Sequence, residues 1–308
     1  MFSIVLSNVL VTLFYLIPGF ILRKMGKVKP EHLPTLSAIL IYIGTPFLEI
    51  SAFMHMEFSW TDVGNMGIFF AVTFAAQCLF MLTVRLILGR RRFEIPKSRL
   101  LVMSSVMGNV GFFGLPIISA ILPDHPEVAC YTTVFSLSMN ILAFTVGVYC
   151  LTGDKKYISF KAAFLNPSVF GFVLALPFYL FGLKAYLPAA LISAIDLLRG
   201  MTTPLCMFIL GIRLASAAFR EIWNKPIVYV TALCKLLLFP LFSYFLVSLF
   251  GVPDSLRWSV LILSGVPCAS VILSLSELHG TEPDLAADCL FVTTLLSFLT
   301  MPLLTLVM

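Results

Sequence analysis

Charge is what this sequence has least of: Asp, Glu, Lys and Arg together make up 11% of its 308 residues. A soluble fold must cover itself with polar groups, so this scarcity, with 60% apolar residues and a mean hydropathy of +1.03, excludes one. Histidine is rare too, and His32, His55, His125 and His279 all fall at loops or at the ends of apolar runs. No HExxH pattern and no suitably placed pair of aspartates lies within an apolar run, which argues against an intramembrane enzyme. A phosphate-binding P-loop is also missing, so nucleotide hydrolysis by this chain is excluded as an energy source. The seven cysteines (78, 130, 150, 206, 234, 268 and 289) are odd in number and lack metal spacing. They read as free, buried thiols, and neither a metal nor a cofactor is expected. No basic stretch precedes the first apolar run; Arg23 and Lys24 follow it, as in a retained span and unlike a cleaved signal.

What is present is a series of apolar runs of 18 or more residues, the mark of an all-α polytopic membrane protein in a lipid bilayer. Ten spans are expected, near 3–22, 35–55, 65–88, 98–122, 127–151, 165–182, 190–217, 226–250, 256–277 and 284–306. Basic residues cluster in alternate loops: Arg23, Lys24, Lys27 and Lys29; Arg90, Arg91, Arg92, Lys97 and Arg99; Lys155, Lys156 and Lys161; Arg213, Arg220 and Lys225. The opposite loops carry only Lys184 and Arg257. Fifteen against two places the basic loops in the cytoplasm and both termini outside. The net charge of +5 follows this loop pattern and gives no reason to expect nucleic acid.

The two halves resemble each other. Asn8 and Pro18 in span one match Asn166 and Pro177 in span six. "IGTPFLEI" in span two matches "MTTPLCMF" in span seven, each preceded by Leu-Pro at 33–34 and 187–188. "HPEVA" before span five matches "EPDLA" before span ten. The shared order predicts a duplication, with repeats at 1–151 and 165–308 and a cytoplasmic linker at 152–164. Five spans per unit is odd, so the second repeat enters the membrane inverted, an arrangement typical of transporters.

Spans four and nine are interrupted. "SSVMGNVGFFGLPI" (104–117) puts Gly108, Asn109, Gly111, Gly114 and Pro116 inside an apolar run; "LSGVPCASVI" (263–272) does the same with Gly265, Pro267, Cys268 and Ser270. Gly and Pro are poor helix-interior residues, and a break exposes N–H and C=O groups that hydrocarbon cannot satisfy. Two breaks crossing near the midplane would cover those groups. Both second halves would then start at one spot, their positive ends suited to an anion such as a carboxylate. Asn109, Cys268 and Ser270 are placed to add side-chain contacts. Lys235, deep in span eight, is expected either as countercharge or coupling cation, or as a snorkelling or structurally paired residue. Asn140 and Gln77 are candidates for the cavity wall or for helix–helix hydrogen bonds. Glu49, Asp196 and Arg199 read as part of the scaffold or its extracellular rim, apart from the substrate site, with Asp196 and Arg199 spaced to pair on one helix face. Asp288 reads as interfacial, and the Phe-rich runs as lipid-facing and packing surface.

"GNVGFFGLPI" resembles the fourth-helix motif of the auxin efflux carrier family, which includes bacterial members assigned to malonate and malate and the plant auxin exporters. "SLSMNILAFTVGVY", "TPLCMFILGIRLA" and "GVPCASVI" are similar to family patterns, so the resemblance covers the whole chain. It implies two inverted five-helix repeats, with helices 4 and 9 crossing at the site. It also implies a scaffold of spans 1, 2, 6 and 7 that can form a homodimer, and a transport unit of spans 3–5 and 8–10. Asn109 matches the asparagine that plant members use near the carboxylate, and Pro267 matches their ninth-helix crossover proline. Gly108 replaces their fourth-helix proline and Cys268 their amide, and the long plant loop is missing, as in bacterial members. The reading is a secondary transporter of small organic anions in a bacterial inner membrane, working by an elevator-like movement. Coupling to H+, to Na+ or to neither is left open, and a cation-coupled exchanger or symporter on the same plan is the alternative.

Overall fold

The computed structural model describes residues 1–216 and 224–308, so Arg220 lies outside the described residues. In chain order its helices are α1 (Phe2–Lys24), α2 (Pro30–Met54), α3 (Trp60–Phe93), α4 (Pro96–Ser104), α5 (Val110–Ile121) and α6 (Glu127–Thr152). There follow α7 (Lys155–Leu180), α8 (Ala189–Ser216), α9 (Pro226–Ser248), α10 (Asp254–Ser264), α11 (Ser270–His279) and α12 (Pro283–Leu304). Eight of these are long and apolar enough to cross a membrane; α4, α5, α10 and α11 are the shorter ones. Those four make up the interrupted regions, α4 with α5 and α10 with α11, where the Gly and Pro residues predict breaks. Among the described residues the only strand-like pairing is one antiparallel bridge, between Gly108 and Cys268.

Helix starts follow local chemistry. Pro96, Pro226 and Pro283 each occupy the first turn of their helix, where a missing N–H costs nothing. Asn166 caps the long piece of α7, its side chain accepting from Val169 N at 3.0 Å, with Pro167 next in line. Proline also accounts for a less ordinary feature. Wide π-helical turns occur at Leu40–Gly44, Val110–Gly114, Ala143–Gly147 and Cys234–Leu238. Three of them stand two residues before a proline: Pro46, Pro116 and Pro240. A proline lacks the N–H that would close the preceding turn, and its ring crowds the carbonyl four residues back, so the turn opens.

The densest packing forms two neighbourhoods of helices, which meet where the first half of α1 lies against α12 and α5 and where α2 lies against α6. The 45–54 part of α2 lies against α7 and the first half of α8, and the second half of α1 lies against the second half of α8. Gly19 and Gly211 allow the latter approach. A Cβ at Gly211 would meet Leu16 C and Phe20 N at 3.0 Å, and one at Gly19 would meet the Phe208 backbone at 2.9 Å. Elsewhere α3 packs on α6 and α9, α9 on α10 and α12, and α4 on the end of α6. Buried aromatic rings fill these contacts, with Phe69 of α3 stacked on Tyr131 of α6 at 4.8 Å. The outer surface is apolar as well: Phe14, Ile87, Phe170, Leu197 and Phe245 are all exposed, as a lipid-facing surface requires. All seven cysteines are free thiols, six of them buried and Cys78 half-buried.

Candidate functional site

The chain leaves helix at Ser104 and re-enters it at Val110; it leaves again at Ser264 and re-enters at Ser270. The two gaps lie side by side. Asn109 N donates to the Pro267 carbonyl at 2.8 Å, and Ala269 N donates to the Met107 carbonyl at 3.2 Å. Other freed groups find side chains: Gly108 N approaches Met139 Sδ at 3.3 Å, and Cys268 N donates to Thr293 Oγ1 at 3.1 Å. The Cys268 thiol donates to the Ser104 carbonyl at 3.5 Å. These contacts satisfy backbone groups that a break would otherwise leave unpaired in an apolar interior.

Lys235 completes the arrangement. It is fully buried in the wide turn of α9, and its Nζ donates to the Ser264 carbonyl at 2.5 Å. That carbonyl ends α10, at the negative end of the helix dipole, where a cation is favoured. The ring of Phe239 lies 5.0 Å from the same Nζ. Gly108 leaves room for this contact, since a Cβ there would meet Val266 Cγ2 at 2.7 Å and Lys235 Nζ at 3.0 Å.

Beside the bridge is a cavity of about 300 Å³. Gly108 and Asn109 of the first gap and Gly111 of α5 line it, as do Ser270 at the start of α11 and Asn140 of α6. The first N–H groups of α5 and α11 have no partner within their own helices, and Gly111, Phe112, Ser270 and Val271, which carry them, line this cavity. The Asn109 side chain reaches Cys206 of α8, with Nδ2 3.8 Å from Sγ.

Five other residues singled out in the sequence lie off the cavity wall. Pro267 contributes its carbonyl to the bridge, and Cys268 turns toward Ser104 and Thr293. Lys235 sits behind Gly108. Pro116 follows the wide turn of α5. Gln77 is buried between α3 and α6, donating to the Thr73 carbonyl at 3.0 Å and to Ser138 Oγ at 2.9 Å. The expected Asp196–Arg199 pairing is replaced by another: Asp196 accepts from Ser51 at 2.6 Å and pairs with His55 at 3.1 Å. The reason is packing, since α8 lies against α2 and presents Asp196 to that helix. Asp288 is buried and pairs with Lys225 at 2.6 Å.

Sequence reasoning missed Glu49. Expected on an outer rim, it is 2% exposed and lines the cavity, accepting from Ser168 Oγ at 3.0 Å. The available signal was an acid inside the apolar run of "TPFLEI".

A family model described as membrane transport protein matches residues 4–162 and 155–305. The chain belongs to that family. This agrees with the auxin efflux carrier resemblance carried by the span-four motif. An uncharacterized transporter of Methanocaldococcus jannaschii is 27% identical, over 96% of each chain. One from Methanothermobacter thermautotrophicus is 25% identical, also over 96% of each. A Rhizobium meliloti protein named "Putative malonate transporter" is 23% identical, over 92% of this chain and 89% of its own.

Proposed function

We propose that this membrane transport protein is a secondary carrier of small organic anions, carboxylates of the malonate and malate size, working by alternating access. One observation carries the reading: α5 and α11 begin beside the same backbone bridge, and their first turns line one cavity together with Asn109. A helix start favours a negative group by about 0.3–1 kcal/mol when exposed and up to ~2 kcal/mol when partly buried. Two such starts and an amide suit a carboxylate. The Rhizobium meliloti relative's name points to the same substrate class.

In this reading the chain crosses the bilayer ten times as two inverted repeats, 1–151 and 165–308, joined by the cytoplasmic linker 152–164, with both termini outside. α1, α2, α7 and α8 form the fixed scaffold, through which a homodimer would assemble. The remaining helices move as one unit carrying the bridge. The two packing neighbourhoods support this division. Gly108, Gly111, Asn140 and Ser270 line the anion site with Asn109. Pro116, Pro267, Cys268 and Lys235 hold its backbone, and Gln77 ties α3 to α6 within the moving unit. A cation-coupled exchanger or symporter on the same plan is the second reading, favoured by the presence of the Glu49 carboxylate in the cavity.

A thermal-shift screen of mono- and dicarboxylates on the purified protein tests the function. A ligand at 100 times its Kd stabilises the folded state by about 2.7 kcal/mol, so a true substrate raises Tm in a dose-dependent way. Asn109→Ala should lose that shift and lose transport while keeping its ligand-free Tm. An unchanged ligand response in this variant removes Asn109 from the site.

A further inference from the structure

Glu49 is a carboxylate in a cavity otherwise suited to anions. Its Oε1 accepts from Ser168 Oγ at 3.0 Å, and its Oε2, buried, has no hydrogen-bond partner among the described residues. Gly171 of α7 packs against its side chain, where a Cβ would meet Glu49 Cγ at 3.0 Å, so the group has little room to swing away. The Thr133 hydroxyl faces it from α6 but is turned to the Ala129 carbonyl at 3.4 Å.

Among the described residues no cation forms an ion pair with this group. From α6 the titratable neighbour is the Cys130 thiol, which donates toward the Ala52 carbonyl; Glu127, at the start of α6, pairs with His125. On α7, Tyr179 is held by the Ser59 backbone. On α8, Asp196 is held by Ser51 and His55, with Arg199 nearby, and Lys184 contacts that His55. None of them hydrogen-bonds to Glu49 among the described residues.

We infer that Glu49 is the proton-binding residue of the anion cavity: the cavity takes a carboxylate together with one proton on Oε2. The inference rests on the anion reading above. A second negative charge in the same cavity, whose lining is mostly apolar, repels an ionised Glu49, and two carboxylates sharing a site do not both stay charged. A proton taken from the medium forms an O–H bond at Oε2. That removes the repulsion and leaves the buried Oε2 neutral. Proton and anion then favour each other's binding by the same factor, as linkage requires.

The test is calorimetric titration of malonate into the purified full-length protein in two buffers of different ionisation enthalpy, which counts protons bound with the ligand. Between about pH 7 and 9 malonate stays doubly ionised. The wild type should take up about one proton per anion, and affinity should fall by up to tenfold for each pH unit, the limit set by one linked proton. In Glu49→Gln the proton count should drop to about zero and the pH dependence should flatten, whatever the change in affinity. The wild-type count needs no variant, so a folding defect in Glu49→Gln leaves the result readable. Binding with no proton uptake by the wild type, or an unchanged count in Glu49→Gln, overturns the inference and leaves the anion reading standing. If neither malonate nor any other carboxylate of the screen binds, the anion reading itself fails. Stabilisation by amino acids alone would assign Glu49 to a ligand ammonium and overturn the proton role.

Discussion

At the scale of single residues, the membrane interior makes every polar group informative. Lys235 is the plainest case, because its ammonium and the Ser264 carbonyl meet where water has no access. Lys235→Met keeps a similar apolar stem and removes the donor. An unsatisfied buried acceptor costs about 1–3 kcal/mol, so this variant should melt earlier in a detergent thermal-denaturation assay. A Tm equal to that of the wild type would show the contact to be incidental. Asn109 and Lys235 were both visible in the sequence as polar residues at membrane depth. Glu49 was visible in the same way, but its place was misjudged, because its burial comes from α7 closing over α2. Ser168 and Gly171 are more than a hundred positions away along the chain, and no local pattern announces their arrival.

At the scale of elements, the interrupted helices follow from composition. The Gly and Pro residues clustered near both breaks weaken a helix, so the gaps were legible in advance. Gly108, Gly265 and Pro267 fall in the gaps, whereas Gly111, Gly114 and Pro116 are accommodated in α5. That the gaps pair with one another is a tertiary fact. The wide turns before Pro46, Pro116 and Pro240 follow from proline chemistry, yet proline alone does not choose between a kink and an opened turn; packing does. The close approach of α1 and α8 gives a direct prediction at this scale. Gly211→Leu should force the helices apart and destabilise the fold by about 1–3 kcal/mol, the usual cost of overpacking. It should lower Tm with no change in which carboxylates stabilise the protein, as judged by the same ligand screen.

At the scale of the whole molecule, the cavity wall runs one way from the bridge. Its lining continues through Ile41 and Ser168 in the middle of α2 and α7, Phe144 in the second half of α6, and Ser274 and Leu278 of α11. By sequence, the segments that precede Ile41 and Ser168 and follow Phe144 lead to loops rich in Lys and Arg, whereas the segment beyond Leu278 holds neither. In the orientation proposed above, those basic loops are cytoplasmic and the cavity lining extends toward them. Ser274 is exposed, and the native thiols are buried or, for Cys78, half-buried. Ser274→Cys should react with a membrane-impermeant maleimide in inverted vesicles and be protected by malonate; labelling is read by mass spectrometry of the Ser274→Cys peptide. Labelling only in right-side-out vesicles would reverse the orientation drawn from the loop charges. The matching motifs in the two halves were legible in the sequence. The side from which the cavity is entered was not, because it depends on how the two packing neighbourhoods meet.

The contact between Asn109 and Cys206 bears on how quickly such a site can work. Sulfur is a feeble acceptor, and at 3.8 Å it holds the amide loosely. In the proposed anion site, an incoming carboxylate oxygen therefore displaces almost nothing of value. A site that idles on so soft a partner puts no barrier before capture, and the sulfur is too weak a competitor to drive release.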